Sequence, residues 1–277
     1  MQNSFSYKDQ ISGFQNVSET VKVIEKIAAS SVHRLKEDVH CLKEYTTELE
    51  LTLEKLSLSY EEHEHSFLKQ HTSGKKALIL LTGDRGLVGG LWHMLINTFL
   101  DHASEYQTFI VIGAKGEYYL REEDIMIERT FSSASDVDQM TEYIFSAFEQ
   151  GRFSHVDVLY PEFFSLADQK PRLVQFLPFV FAQKKQETDD DVSSGLQTFE
   201  PSKSKIFSWF LLRYIETSFR KLFMETKLSE LSARMITSER ASTKTEELIQ
   251  RLTLQNMKER RRILTQKQLE SFTVHML

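Results

Sequence analysis

The sequence predicts an α/β protein: a long antiparallel coiled coil of N- and C-terminal helices with a small, mostly parallel α/β domain between them. Three observations carry this reading. Residues 202–277 contain neither glycine nor proline. The 60 residues between Gly13 and Gly74 are equally free of both, and the first proline is Pro161. Glycine-punctuated apolar runs fill the stretch between these two segments. Helix interiors exclude Gly and Pro for entropic and steric reasons. At ~1.5 Å per residue, the C-terminal helix spans roughly 100 Å, too long to be buried in one compact domain. A helix of that length needs a partner, and the other end of the chain supplies it.

The N-terminal segment, assigned to residues 1–73, repeats apolar residues every seven positions: Phe14, Val21, Ala28, Leu35, Leu42, Leu49 and Leu56. Companions fall between them at Val17, Ile24, Val32, Val39, Tyr45 and Leu53, and their register slips near Val32. Such heptads are the signature of a coiled-coil seam, and a slip alters supercoiling locally without ending the helix.

The pattern changes at Gly74, and residues 74–181 form the central domain. KKALILLTG reads as a buried strand, GLWHMLINTFLDHA as a helix, QTFIVIGAKG as a strand and turn, and DIMIERTF as a third strand. ASDVDQMTEYIFSAFEQG is a helix with Val137, Met140, Ile144, Phe145 and Phe148 at helical spacing, closed by Gly151. HVDVLYPEFF is a strand ended by Pro161, and PRLVQFLPFVFA a last strand with Pro178 at an edge or bulge. Alternating strands and helices imply a Rossmann-like parallel sheet. Residues 182–203, with Asp189, Asp190 and Asp191 in a row, read as a polar linker. Residues 204–277 are the C-terminal shaft helix.

Composition excludes several functions. No run of ~18 apolar residues is present, so no segment is predicted to insert in a membrane. MQNSFSYKDQ lacks the charged and apolar regions of a signal peptide, and Cys41 stands alone; both predict a cytoplasmic location. The net charge of −6 conceals a basic last helix, with 15 Lys+Arg against 8 Asp+Glu in residues 202–277. Those charges are dispersed apart from Arg260, Arg261 and Arg262, and no nucleic-acid motif accompanies them, so nucleic acid is not an expected partner.

The loop LTGDRGLVGGLWHM joins a strand to a helix through glycines, the setting of a nucleotide site. It has neither GxxxxGK[ST] nor a clean GxGxxG. Gly83, Gly86, Gly89 and Gly90 are therefore read as shaping the turn. His63 and His65 lie two apart on one segment and face different ways, which argues against a metal pair. With no catalytic constellation in sight, neither an active site nor a cofactor is expected.

Two motifs are specific. TGDRGLVGGL resembles a loop of the gamma subunits of F-type ATP synthases, usually near T-S-D-R-G-L-C-G-G-L-N. Asp84, Arg85, Gly86, Leu87, Gly89, Gly90 and Leu91 match, Val88 replaces the cysteine and Trp92 the asparagine. SELSARM resembles the family's S-E-x-x-A-R-M through Ser229, Glu230, Ala233, Arg234 and Met235. Further on, Leu252, Thr253, Leu254, Lys258, Arg260 and Thr265 match. Asn256-Met257 stands for Tyr-Asn, Arg261 for Gln and Lys267 for Glu. In the N-terminal helix Ile11, Asn16, Lys22, Ala28 and Ala29 agree, while Ile24 replaces a methionine and Glu19 a lysine.

The resemblance covers nearly the whole chain and is that of a divergent member; housekeeping and alternative F-type complexes both stay open. It implies a non-catalytic rotor shaft turning within a ring of alpha- and beta-type subunits. An epsilon-type rotor subunit and a membrane c-ring would lie at its base, on the cytoplasmic face. Asp84, Arg85, Gly86, Leu87, Gly89 and Gly90 would be structural. Ile24, Glu230, Arg234, Lys258, Arg260, Arg261 and Thr265 would meet the ring. A coiled-coil adaptor that kept the fold without rotating is the competing reading.

Overall fold

The computed structural model describes residues 2–57, 65–69, 71, 73–132, 137–180, 200 and 202–275. Two helices dominate it: α1 (Gln2–Ser57) and α5 (Lys203–His275). Between them come β1 (Lys75–Leu81), α2 (Leu91–His102), β2 (Thr108–Ile112), α3 (Ala114–Glu122), β3 (Arg129–Phe131), α4 (Val137–Glu149), β4 (Phe153–Phe163) and β5 (Gln169–Leu177). His63 and most of the expected linker at 182–203 lie outside the described residues. The chain divides into two compact units, residues 1–31 with 234–277, and residues 32–233.

In the first unit α1 and α5 meet through small residues. Ala28 is 1% exposed and Ser238 2%, and Ser18, Ser242 and Thr245 are also buried. Small side chains let two helix backbones approach closely. Lys22 pairs with Glu246 at 2.5 Å on the rim, both half exposed, a contact worth ~0–1 kcal/mol.

The register of α1 differs from the expected one. Val17 and Tyr45, read as seam positions, are exposed, whereas Ser18 and Thr46 are buried. Among the half-buried and buried positions, 14, 18, 21, 25 and 28 in the first unit, and 32, 35, 39, 42, 46, 49, 53 and 56 in the second, alternate steps of four and three, while Ile24, an expected companion, is half-buried beside Glu25. Within each unit these positions follow a heptad. Hydroxyl residues hold seam positions because the helix satisfies them internally: Thr46 Oγ1 donates to the Leu42 carbonyl at 2.6 Å.

The second unit is built on a five-stranded sheet in the order β3-β2-β1-β4-β5. The first four strands are parallel, and β5 runs antiparallel to β4 at the edge. Alternate residues of β1 serve two cores. Ala77, Ile79 and Leu81 pack with α4, the end of α1 (Leu53, Leu56) and the first turns of α5 (Phe207, Leu211, Ile215, Phe219). Leu78 and Leu80 face α2 (Trp92, Leu95, Phe99) and Leu120 of α3. Each such Leu, Ile or Phe side chain contributes ~1.5–3 kcal/mol on burial.

Three expectations change in detail. The turn read at the end of QTFIVIGAKG opens helix α3, AKGEYYLRE, which was not foreseen. The third strand shrinks to three residues. Pro161 does not end β4, which continues to Phe163. Pairing of β4 with β1 stops at Leu159, so the missing N–H of Pro161 costs that ladder nothing. Pro178 follows directly on the edge strand β5, and α4 closes on Gly151 at φ 71, as its spacing predicts.

Candidate functional site: the loop between β1 and α2

In a doubly wound sheet, ligands occupy the crevice where the strand order reverses, beyond the C-terminal ends of the strands. Here that point lies between β1 and β4. The chain fills it with its own groups.

Thr82, Gly83 and Asp84 leave β1 and run directly over the N-terminus of α3. Three successive amides of that helix are taken in turn. Ala114 N–H donates to Asp84 Oδ1 at 3.0 Å, Lys115 N–H to the Gly83 carbonyl at 3.0 Å, and Gly116 N–H to Thr82 Oγ1 at 2.9 Å. These are the donors that would cradle a phosphate. The Thr82 hydroxyl itself donates to the Ile112 carbonyl at 2.7 Å. The fit is too close for a larger residue at 113: a β-carbon there would lie 2.5 Å from the Thr82 carbonyl oxygen, and φ is +96°.

Helix α5 covers the same end of the sheet. Ser229 Oγ donates to the Pro161 carbonyl at 2.8 Å, and Glu225 Oε1 accepts from Phe163 N–H at 3.3 Å, so side chains of α5 replace a strand ladder beyond Leu159. Glu230 is 4% exposed. Its carboxylate rests on Gly83, where a β-carbon would come 2.4 Å from Cδ. Lys227 Nζ stands 3.6 Å from Glu230 Oε2.

Glu230 was expected to face a ring subunit. It is buried against Gly83 within the chain instead, and the two motifs, distant in sequence, are halves of one contact. The motif's departures also have structural places. Trp92 is buried and donates its indole N–H to the Arg85 carbonyl at 3.2 Å, closing the loop, and Val88 joins the same core. Leu87, at φ 61, and Arg85 stay exposed, as does the Asp84 residue around its capping oxygen. A Cβ on Gly86 or Gly90 would meet nothing within 4 Å, so neither is needed for space.

The other expected contact residues lie in the first unit. Ile24 and Arg234 are half-buried, and Lys258, Arg260, Arg261 and Thr265 are exposed. Among the described residues, Arg260, Arg261 and Arg262 make no ion pair. Thr82, Gly113 and Gly116 were not foreseen; the signal was present as a threonine ending β1 and the G-x-x-G of IGAKG after β2. His65 caps a short 3-10 turn, its Nδ1 accepting from Phe67 N–H at 3.4 Å, and burial holds its pKa below the usual value. Among the described residues no group of three or more His, Cys, Asp or Glu could hold a metal.

The chain belongs to the ATP synthase family, whose model matches residues 4–270. It is similar to the ATP synthase gamma chain of Desulfitobacterium hafniense, 27% identical over 274 residues and covering 96% of this chain and 95% of the relative. Similarity to the gamma chain of Symbiobacterium thermophilum is 28% over 275 residues, covering 95% and 94%. Among solved structures, a chain of the Euglena gracilis mitochondrial ATP synthase, seen in its OSCP/F1/c-ring assembly, shares the fold. Its TM-score is 0.69 at 15% identity, covering 99% of this chain and 94% of that one.

Proposed function

We propose that this chain is the central-stalk gamma subunit of a rotary F-type ATPase. It turns within the alpha- and beta-type ring and couples ion flow through a membrane c-ring to ATP synthesis or hydrolysis on the ring. The observation that carries this reading is the match of residues 4–270 to the family. The solved rotor of Euglena gracilis mitochondrial ATP synthase has the same fold, with a TM-score of 0.64 at 14% identity. No described helix is long and apolar enough to cross a membrane. The place proposed for the chain is peripheral, at the cytoplasmic face beside an epsilon-type subunit.

The chain itself is non-catalytic. The crevice that would take a nucleotide holds Glu230, and the α3 amides are bound to Thr82, Gly83 and Asp84. The ring contacts proposed are Ile24, Arg234, Lys258, Arg260, Arg261 and Thr265. Arg260 is exposed and makes no ion pair among the described residues, so its guanidinium is open to a carboxylate of another subunit.

The test is to co-express the chain with the ring and rotor subunits of its own organism and purify the complex. One copy of the chain per hydrolytically active ring supports the proposal; an active ring that excludes the chain overturns it. Separately, calorimetry on the isolated chain should detect no ATP binding near the micromolar range, which corresponds to about −8 kcal/mol.

A further inference from the structure

The second unit contains a cavity of about 890 Å³ that no part of the proposed rotor role uses. It is bounded by residues 33–43 of α1, by β4 and β5, and by α5. Small-molecule sites commonly measure about 300–1,000 Å³. Val174, Phe176, Phe179, Tyr214, Ile215 and Leu222 supply apolar walls.

Lys221 is the anomaly in this lining. Its side chain is half-buried, yet it makes neither ion pair nor hydrogen bond among the described residues. Burial pulls its pKa down, opposed only at longer range by Glu225 and Glu50. The carboxylates nearby are committed or weakened. Glu162 is paired with Arg172, and Glu225 accepts the Phe163 amide while burial raises its pKa. Lys43 adds positive potential at the same lining. A half-buried lysine without an ion pair is less favourable than a solvated one, and a counter-ion brought into the cavity offsets that.

We propose that this cavity binds a small amphiphilic monoanion, one carboxylate on an apolar body, with Lys221 as its counter-ion. The apolar walls take the body. A single negative charge fits better than two because Glu37, Glu162 and Glu225 share the lining.

Decanoate is a suitable probe. It is titrated into the full-length chain and followed by calorimetry and by the ¹³C shift of its labelled carboxylate. Saturable one-to-one binding is expected. Decanol and decyltrimethylammonium, with the same body but no charge or the opposite charge, should bind at least roughly tenfold more weakly, the scale of a lost charge-assisted contact. Lys221→Met should weaken decanoate by a similar factor, Lys221→Arg should retain it, and Glu225→Gln should tighten it by removing a like charge. If Lys221→Met does not fold, Val174→Trp fills the cavity from the edge strand and should abolish binding while leaving Lys221 in place. No saturable binding to the wild type, equal binding by the three probes, or binding unchanged in Lys221→Met or Val174→Trp overturns the proposal.

Discussion

The carboxylate of Glu230 lies directly on the α-carbon of Gly83, in a contact that leaves no room for a single methyl group. One residue belongs to the loop after the first strand, the other to the middle of the last helix. The loop also holds the N-terminus of α3 through three successive residues. The joint therefore ties β1, α3 and α5 together at the point where this fold class ordinarily opens a ligand crevice.

The glycines of this joint are expected to rank in a definite order. Gly113→Ala would set a β-carbon 2.5 Å from backbone at a positive φ, and should cost ~2–4 kcal/mol. Gly83→Ala meets a side chain that is buried but jointed, and should cost ~1–3 kcal/mol. Gly86→Ala meets nothing within 4 Å and should stay within ~0.5 kcal/mol. Urea unfolding of the three variants measures the series, and adding Glu230→Ala to Gly83→Ala should recover part of the loss. Equal costs at 83 and 86 would refute the contact.

Asp84→Ala removes the acceptor of the first α3 amide and is expected to cost ~0.5–2 kcal/mol, as at other helix N-termini. Hydrogen exchange should then accelerate at Ala114, while Gly116, bonded to Thr82, keeps its protection. Uniform loss across α3 would mean that Asp84 acts on the whole loop instead.

The revised α1 register separates neighbouring residues. Ser18→Lys forces a charge into the seam and should cost ~1–3 kcal/mol, whereas Val17→Lys, at a position 50% exposed, should be nearly neutral. In the other unit Leu53, fully buried, should cost ~2–5 kcal/mol on truncation to Ala. A destabilising Val17→Lys beside a tolerated Ser18→Lys would restore the slipped register.

Glu225 provides a pH signature. Burial is the largest influence on its carboxyl and raises its pKa, outweighing the Phe163 amide and the nearby lysines. The folded pKa thus lies above the unfolded one. Its contribution to stability is present below the unfolded value and is lost as pH rises through the folded value. The melting temperature of Glu225→Gln minus that of the wild type should therefore increase from acid to neutral pH. A flat or falling difference would contradict the raised pKa.

Arg260→Glu, tested in the assembled complex, should lower ATP hydrolysis and ion pumping with subunit stoichiometry unchanged. The argument is like-charge repulsion where a carboxylate contact is proposed. Wild-type pumping per ATP at several salt concentrations would exclude a coupling role for this residue.

Much of the architecture was written in local signals. Strands β1 and β2 are apolar runs ending in Thr-Gly and Ile-Gly, and the two long helices announced themselves by the absence of Gly and Pro. What escaped depended on contacts. Helix α3 has nine residues with Gly116 inside, and that glycine is explained only by Thr82 and Val111 packed against it. Ser18 and Thr46 were passed over for the more apolar Val17 and Tyr45 because burial at a close helix crossing selects size before polarity. The motif around Glu230 marked a residue under constraint, but whether that constraint came from outside the chain or within it could be seen only once Gly83 stood opposite.

The order in which the chain is made gives the α5 wall a further meaning. One face of the sheet is covered largely by Phe207, Leu211, Ile215 and Phe219, which emerge after every strand is complete. Until they arrive, Ile79, Ile110 and Val158 have α4, the end of α1 and Phe67 to shelter them. Long-range closure of this kind is slow, and exposed strand faces aggregate. A chain truncated before residue 203 should therefore accumulate as insoluble protein. The last helix is in this sense the subunit's own folding chaperone, joined to its client by a peptide bond.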